Sequence, residues 1–186
     1  PTAPQVGHNA RRLTASLTER GRVTRVVAGS AGGRRLVVPR GDTTRPTSER
    51  VREALFGSLE ARGRVRGARV LDLYCGSGAL GLEAASRGAA EVVMVDTARA
   101  ATTAARENVA ALDLPRITVV MSSVERYLTG RAPTRFDLVL LDPPYRLAEG
   151  SLAEVLAQLV SGRWLVPGGL VVVERSGHGV EPSWPA

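Results

Sequence analysis

From Val70 onward, short apolar runs alternate with amphipathic stretches at a nearly regular spacing. Val70-Leu71-Asp72-Leu73 is an apolar run with one early acid and reads as a short buried strand. It breaks into a glycine-rich turn and continues as a helical stretch, Ala79-Leu80-Gly81-Leu82-Glu83-Ala84-Ala85. Glu91 to Val95 repeats the strand pattern and ends at Asp96. Ala98 to Leu112 reads as a helix and Ile117 to Val120 as a strand. Val124 to Leu128 closes a short helix, and Phe136 to Leu141 is a strand running into Asp142-Pro143-Pro144-Tyr145. Ser151 to Val160 predicts a helix, Gly168-Gly169 a turn, and Leu170 to Val173 a last strand. This alternation predicts an α/β fold with a doubly wound, mostly parallel, Rossmann-like sheet.

The front of the chain follows another pattern. Residues 1–22 have no apolar periodicity and read as a flexible tail. Thr24 to Gly29 and Arg34 to Val38 are short β-like runs around Ser30-Ala31-Gly32-Gly33, which predicts a hairpin. Pro39 to Pro46 is a linker. In Thr47 to Leu59, Val51, Leu55 and Leu59 recur at four-residue steps, predicting an amphipathic helix with a polar, arginine-bearing face, capped by Thr47 or Ser48. The expected organisation is a tail (1–22), a hairpin and linker (23–46) and a main domain (47–186).

Charge sharpens this division. The chain has 186 residues and no lysine, so its basic residues are all arginine. Residues 1–69 hold 15 Arg against 5 acids, whereas residues 70–186 hold 10 Arg against 13 acids. A basic front ahead of a mildly acidic body is the pattern of a polyanion-binding appendage on an enzyme core; a solvated basic face is the plainer alternative. No apolar run approaches the roughly 20 residues of a membrane span, and the first residues lack the apolar core of a secretory signal. A single cysteine allows no internal disulfide and forms no metal cluster, so a reducing, cytoplasmic setting without a structural metal is expected.

Candidate chemistry gathers at three strand ends, where open α/β sheets hold their ligands. Gly76, Gly78 and Gly81 form G-x-G-x-x-G, a turn whose bare backbone lets a ligand approach the following helix N-terminus. Asp96, 20 residues after Gly76, suits a carboxylate accepting both hydroxyls of a ribose, or a cap for the next helix. A nicotinamide dinucleotide enzyme shares these features. Two others discriminate. Asp72, four residues before Gly76, is not needed by an anionic pyrophosphate but benefits a ligand with an ammonium group. Asp142-Pro143-Pro144-Tyr145 combines a carboxylate and proline carbonyls, which accept from an exocyclic amine, with a ring on which an extruded base stacks.

Asp72-Leu73-Tyr74-Cys75-Gly76-Ser77-Gly78 together with Asp142-Pro143-Pro144-Tyr145 resembles the Rossmann-type S-adenosylmethionine-dependent amino-methyltransferases. Three further stretches narrow the resemblance: Arg25 to Gly29 with Gly33 to Leu36, Thr44 to Phe56, and Gly78 to Ala89. With these the chain, over roughly residues 24 to 175, resembles the RsmD family of bacterial 16S ribosomal RNA guanine-N2 methyltransferases.

That resemblance implies a class I methyltransferase sheet and a cofactor pocket for S-adenosylmethionine. Asp72, Tyr74, Cys75, Gly76, Ser77 and Gly78 would hold the methionine part, and Asp96 the ribose. Thr97, Ser123 and Val124 would flank the adenine. Asp142, Pro143, Pro144 and Tyr145 would hold the target guanine, with Cys75 packing rather than attacking. Arg25, Arg34, Arg35, Arg45, Arg50 and Arg52 would face RNA. The implied partner is 16S ribosomal RNA in a small-subunit particle, approached by a monomer. Family members continue past the fifth strand into a further strand pair. The sequence stops at Ser183-Trp184-Pro185-Ala186, so an open sheet edge is expected. The rival readings are a DNA adenine-N6 methyltransferase, an NAD-dependent dehydrogenase and a non-catalytic RNA-binding protein. His8 and His178 receive no role.

Overall fold

The computed structural model describes residues 24–39, 48–130, 132, 134–144, 146–175 and 182–185. The tail at 1–22, most of the linker, Arg45 and Tyr145 lie outside the described residues. Two short strands, β1 (Thr24–Arg25) and β2 (Arg35–Leu36), pair antiparallel as the expected hairpin. Then come α1 (Glu49–Ala61), β3 (Arg69–Leu73), α2 (Ala79–Ser86), β4 (Glu91–Asp96), α3 (Arg99–Leu112) and β5 (Ile117–Met121). The chain continues through α4 (Val124–Tyr127), β6 (Phe136–Leu141), α5 (Glu149–Ser161) and β7 (Leu165–Val173).

β3 to β7 form one parallel sheet in the order β5-β4-β3-β6-β7. The winding reverses beside β3, which places the ligand crevice at the carboxyl ends of β3, β4 and β6. Among the described residues β7 forms one edge of the sheet. The expected Gly168-Gly169 turn lies inside this longer strand: Phe136 pairs with Leu165 and pairing resumes at Leu138 with Leu170, so the intervening residues bulge out. Gly168 supplies the left-handed φ of +74° that this excursion requires.

The period of two along the strands sorts side chains into two cores. Val70, Val92, Met94, Leu138 and Leu140 pack with α1, α2, α3 and the hairpin. Leu71, Leu73, Val93, Val95, Val139 and Leu141 pack with α4, α5 and the Trp164 ring.

α1 is rotated from its expected face. Ser48 caps it by accepting from the Val51 N–H at 3.3 Å, but Val51 is half exposed, and the buried side chains are Arg52, Phe56 and Leu59. Arg52 therefore does not present its guanidinium to a polyanion. It is fully buried and donates to the Arg25 carbonyl, tying the hairpin to α1. Burial lowers its pKa, while Glu83, Glu49 and Glu174 oppose the shift.

The hairpin loop docks on α2 through polar groups. Buried Glu83 accepts from the N–H groups of Val27 (2.7 Å) and Ala28 (3.0 Å) and from Arg87 Nε (2.6 Å). The Ser86 hydroxyl accepts from Ala31 N–H, and its carbonyl from Ser30 N–H. Gly29 is required here: a Cβ would sit 2.0 Å from the Ser86 carbonyl oxygen, and its φ is +84°. Arg87 also bonds Glu60 of α1 at 2.6 Å and lies over the Phe56 ring, 5.4 Å from its centroid.

Candidate active site at the strand ends

β3 ends in a sharply folded loop. Tyr74 (φ +60°), Gly76 (+55°) and Gly78 (+88°) are all left-handed, and a tyrosine in that conformation is a strained residue of the kind found at functional sites. Cys75 N–H donates to the Val95 carbonyl at 3.0 Å and Gly78 N–H to the Cys75 carbonyl at 2.8 Å, pinning the loop against β4. The three glycines act differently. A Cβ on Gly81 would lie 2.7 Å from Met94 Sδ and 3.0 Å from Asp72 Oδ2, so this residue lets α2 settle on β4. On Gly78 a Cβ would meet the same sulfur at 2.9 Å. Gly76 has nothing within 4 Å of its Cβ position, so its backbone faces open space. Gly78 caps α2 without a side-chain bond, leaving the helix N-terminus turned to that loop.

Asp72 is fully buried opposite Met94 on β4 and Leu140 on β6. Its Oδ2 accepts from Gly81 N–H at 2.8 Å, whereas Oδ1 is buried without a partner. Burial pushes its pKa up to about 8, opposed by the Gly81 bond and reinforced by Asp142 and Asp96. Asp96 is more fully engaged: Oδ2 accepts from Gly76 N–H (2.9 Å) and Oδ1 from Ala98 N–H (2.8 Å). It shapes the loop and caps the approach to α3, and a carboxylate with about four lone-pair sites still has room for ribose hydroxyls.

The other expected residues divide by environment. The Tyr74 hydroxyl reaches Glu125 Oε1 at 3.4 Å, and burial with Glu125 raises its pKa. Cys75 is buried and its thiol is pushed well above the ordinary value, chiefly by burial, which suits a packing residue and not a nucleophile. Thr97 is exposed beside Asp96. Ser123 caps α4 by accepting from Arg126 N–H at 3.2 Å, and the Val124 side chain is in the second core. Asp142 follows β6 directly, half-buried, with its N–H toward the Leu73 carbonyl at 3.5 Å. Pro143 is buried and Pro144 exposed, and the Pro144 carbonyl accepts from Leu147 N–H at 2.8 Å. Asp72, Asp96, Asp142 and the glycine loop thus converge on one crevice.

Of the front arginines, Arg25 pairs with Glu49 at 3.0 Å while staying half exposed, and Arg35 and Arg50 are exposed. Arg34 spends its guanidinium on the C-terminus of α3, donating to the Ala111 and Leu112 carbonyls. One buried residue outside the sequence motifs, Asn108, also serves the site. It is buried on α3, exchanges two hydrogen bonds with the backbone of Val37 (2.7 and 2.9 Å) and donates to the Ser77 carbonyl (3.0 Å). A buried amide among the apolar positions of a helix was the available signal.

Residues 24–186 match the family described as conserved hypothetical protein 95. The chain is 37% identical over 162 residues to ribosomal RNA small subunit methyltransferase D of Escherichia coli K12, covering 87% of this chain and 79% of that protein. Its Haemophilus influenzae counterpart is 32% identical over 154 residues, 81% of this chain and 77% of the relative. Among solved structures, the putative methyltransferase yhhF of Escherichia coli superposes with a TM-score of 0.78 at 37% identity, covering 88% and 87% of the two chains. A hypothetical protein of Thermus thermophilus gives 0.74 at 35% identity, covering 86% and 90%. Matching motifs, sheet and hairpin agree: the chain belongs to the RsmD family of methyltransferases.

Proposed function

We propose that this protein transfers a methyl group from S-adenosylmethionine to the exocyclic N2 of a guanine in 16S ribosomal RNA of the small subunit. The observation that carries the reading is the pairing of two unlike carboxyl groups in one crevice. Asp72 is buried with one oxygen unpaired, and Asp142 directly follows the neighbouring strand, half-buried, ahead of two prolines.

The residues present fit the cofactor. The unpaired buried Asp72 oxygen matches an ammonium group, the space over Gly76 leaves room for the amino-acid part, and Asp96 keeps acceptor capacity for ribose. S-adenosylmethionine supplies a methyl group on a positively charged sulfur. Guanine N2 is a weak nucleophile because its lone pair is delocalised into the ring. Asp142 and the Pro143 carbonyl accept its N–H hydrogens, which favours a pyramidal nitrogen with the pair directed outward. With the cofactor bound, methylation would leave a surplus proton on this nitrogen, and Asp142 would accept it and pass it to water. Orientation of the two reactants contributes about 7–11 kcal/mol. Among the described residues, the half-exposed Arg25 and the exposed Arg35 and Arg50 are front charges open to RNA, with the enzyme acting as a monomer on a small-subunit particle.

The dehydrogenase reading loses ground because a pyrophosphate on the α2 N-terminus would lie among Asp72, Asp96 and Asp142. The Asp142 role is tested by Asp142→Ala. Methyl transfer should fall by about 100- to 1000-fold, the scale of losing one preorganised hydrogen-bonding group at a reacting centre, while S-adenosylmethionine binds with unchanged Kd. Near-normal turnover in that variant would refute the assignment.

A further inference from the structure

The two ends of the parallel sheet differ in charge. The carboxyl ends carry Asp72, Asp96, Asp142 and Glu174, while arginines stand at the opposite end. Arg116 precedes β5, Arg69 opens β3, Arg135 precedes β6, and Arg163 lies two residues before β7. Arg64, in the loop ahead of β3, reaches the Gly168 carbonyl of β7 at 3.1 Å. Among the described residues the acids at this end are Glu60, paired with Arg87, Glu91, which interrupts the row at β4, Asp113, and Asp137, which is engaged by Arg69.

Three observations make this row more than scattered surface charge. First, three of its side chains, Arg69, Arg135 and Arg163, line a concave surface. One depression of about 390 Å³ is walled by Arg69, Thr134, Arg135, Arg163, Val166 and Pro167, and an adjoining one of about 270 Å³ shares Arg135, Arg163 and the Val166-Pro167 wall. Second, the row is partly fixed in place: Arg69 Nη1 donates to the Thr134 hydroxyl at 3.0 Å, and Arg64 is tied to β7. Third, Arg116 (φ +57°) and Arg163 (φ +55°) both occupy left-handed backbone, which favours glycine. Arg163 sits just after the C-cap of α5, where a glycine is the common residue, so these positions carry guanidinium groups against the backbone preference.

We propose that this arginine row is a second RNA-binding surface, which grips the phosphate backbone of a segment distinct from the one that delivers the target base. Neighbouring strands are about 4.7–4.9 Å apart, so the row from β5 to β7 spans roughly 19 Å, the length of several nucleotides. Guanidinium forks match phosphate oxygens. A β-strand of five or six residues separates the two ends by roughly 17–20 Å, so a base in the crevice and a phosphate on this row belong to different parts of a folded RNA. The inference rests on the RNA-substrate reading above.

The test uses backbone preference to protect the fold. Arg116→Gly and Arg163→Gly remove two charges while relaxing two left-handed residues, and Arg135→Ala removes a third. Binding of the full-length triple variant to small ribosomal subunits is measured against salt concentration. The slope of log affinity against log salt should fall by about 2, at roughly 0.7–0.9 for each lost contact, and affinity at moderate salt by about tenfold or more. Tm should stay level or rise. An unchanged slope and affinity would overturn the proposal. Because binding is read without methyl transfer, a wild-type protein that binds subunits but transfers no methyl group would sink the catalytic reading and leave this result intact.

Discussion

Asp72 and Glu83 are both fully buried carboxyl groups on the same side of the sheet, and they are treated in opposite ways. Glu83 is saturated: two backbone N–H groups of the hairpin and the Arg87 guanidinium fill its oxygens. Asp72 receives one N–H, from Gly81, and keeps a buried oxygen without a partner. A buried acceptor left unmatched costs about 1–3 kcal/mol, so the fold tolerates at Asp72 a loss it avoids at Glu83. A saturated buried acid holds the molecule together; a half-saturated one has capacity reserved for something that arrives later.

The sharpest way to break the comparison is Glu83→Ala. It strips the hairpin of its anchor and leaves Arg87 with only the partly exposed Glu60, so stability should drop by about 3–5 kcal/mol. Thermal denaturation should show Tm lower by roughly 10 °C. Asp72→Asn should do the reverse. Without cofactor, Tm holds or rises, while calorimetric titration shows S-adenosylmethionine affinity lower by about 10- to 100-fold. Equal Tm losses in both variants would erase the distinction.

Proton linkage gives a subtler contrast. The folded pKa of Asp72, about 8, lies above its ordinary value of 3.8, so the folded state holds a proton the unfolded chain releases. Stability should therefore decline as pH rises from about 4 to about 8, and Asp72→Asn should abolish that component of the slope in denaturant titrations. An ammonium group favours the ionised carboxyl, so cofactor affinity should climb with pH up to about 8 and level off in the variant. The smallest effect concerns Asn108, which joins the hairpin exit to the glycine loop. Asn108→Ala should cost about 1–3 kcal/mol in Tm measurements by unpairing Val37 and Ser77. It should also raise KM for the cofactor, because Ser77 lies in the loop.

The alternation of apolar runs made the sheet legible in sequence, and strand ends carrying Asp72, Asp96 and Asp142 made the crevice legible too. The face of α1 was not. Val51-Leu55-Leu59 and Arg52-Phe56-Leu59 both repeat at helical spacing, and the choice between them is made by Arg25 and by Glu83 and Glu174, all outside the helix. An arginine counted as surface charge thus became a buried tie. Glu83, Ser86 and Arg87 stood inside a recognisable motif, yet their task depends on a hairpin more than 50 residues away. The Gly168-Gly169 bulge was hidden because a glycine pair signals a turn equally well between strands and within one.

The central claim is tested most directly by incubating the protein with small subunits that lack their own guanine-N2 methylation and labelled S-adenosylmethionine, then mapping the label. The account predicts one methyl group on N2 of a single guanine in 16S RNA. Label on adenine N6, or no transfer to small subunits under conditions where the cofactor binds, would contradict it.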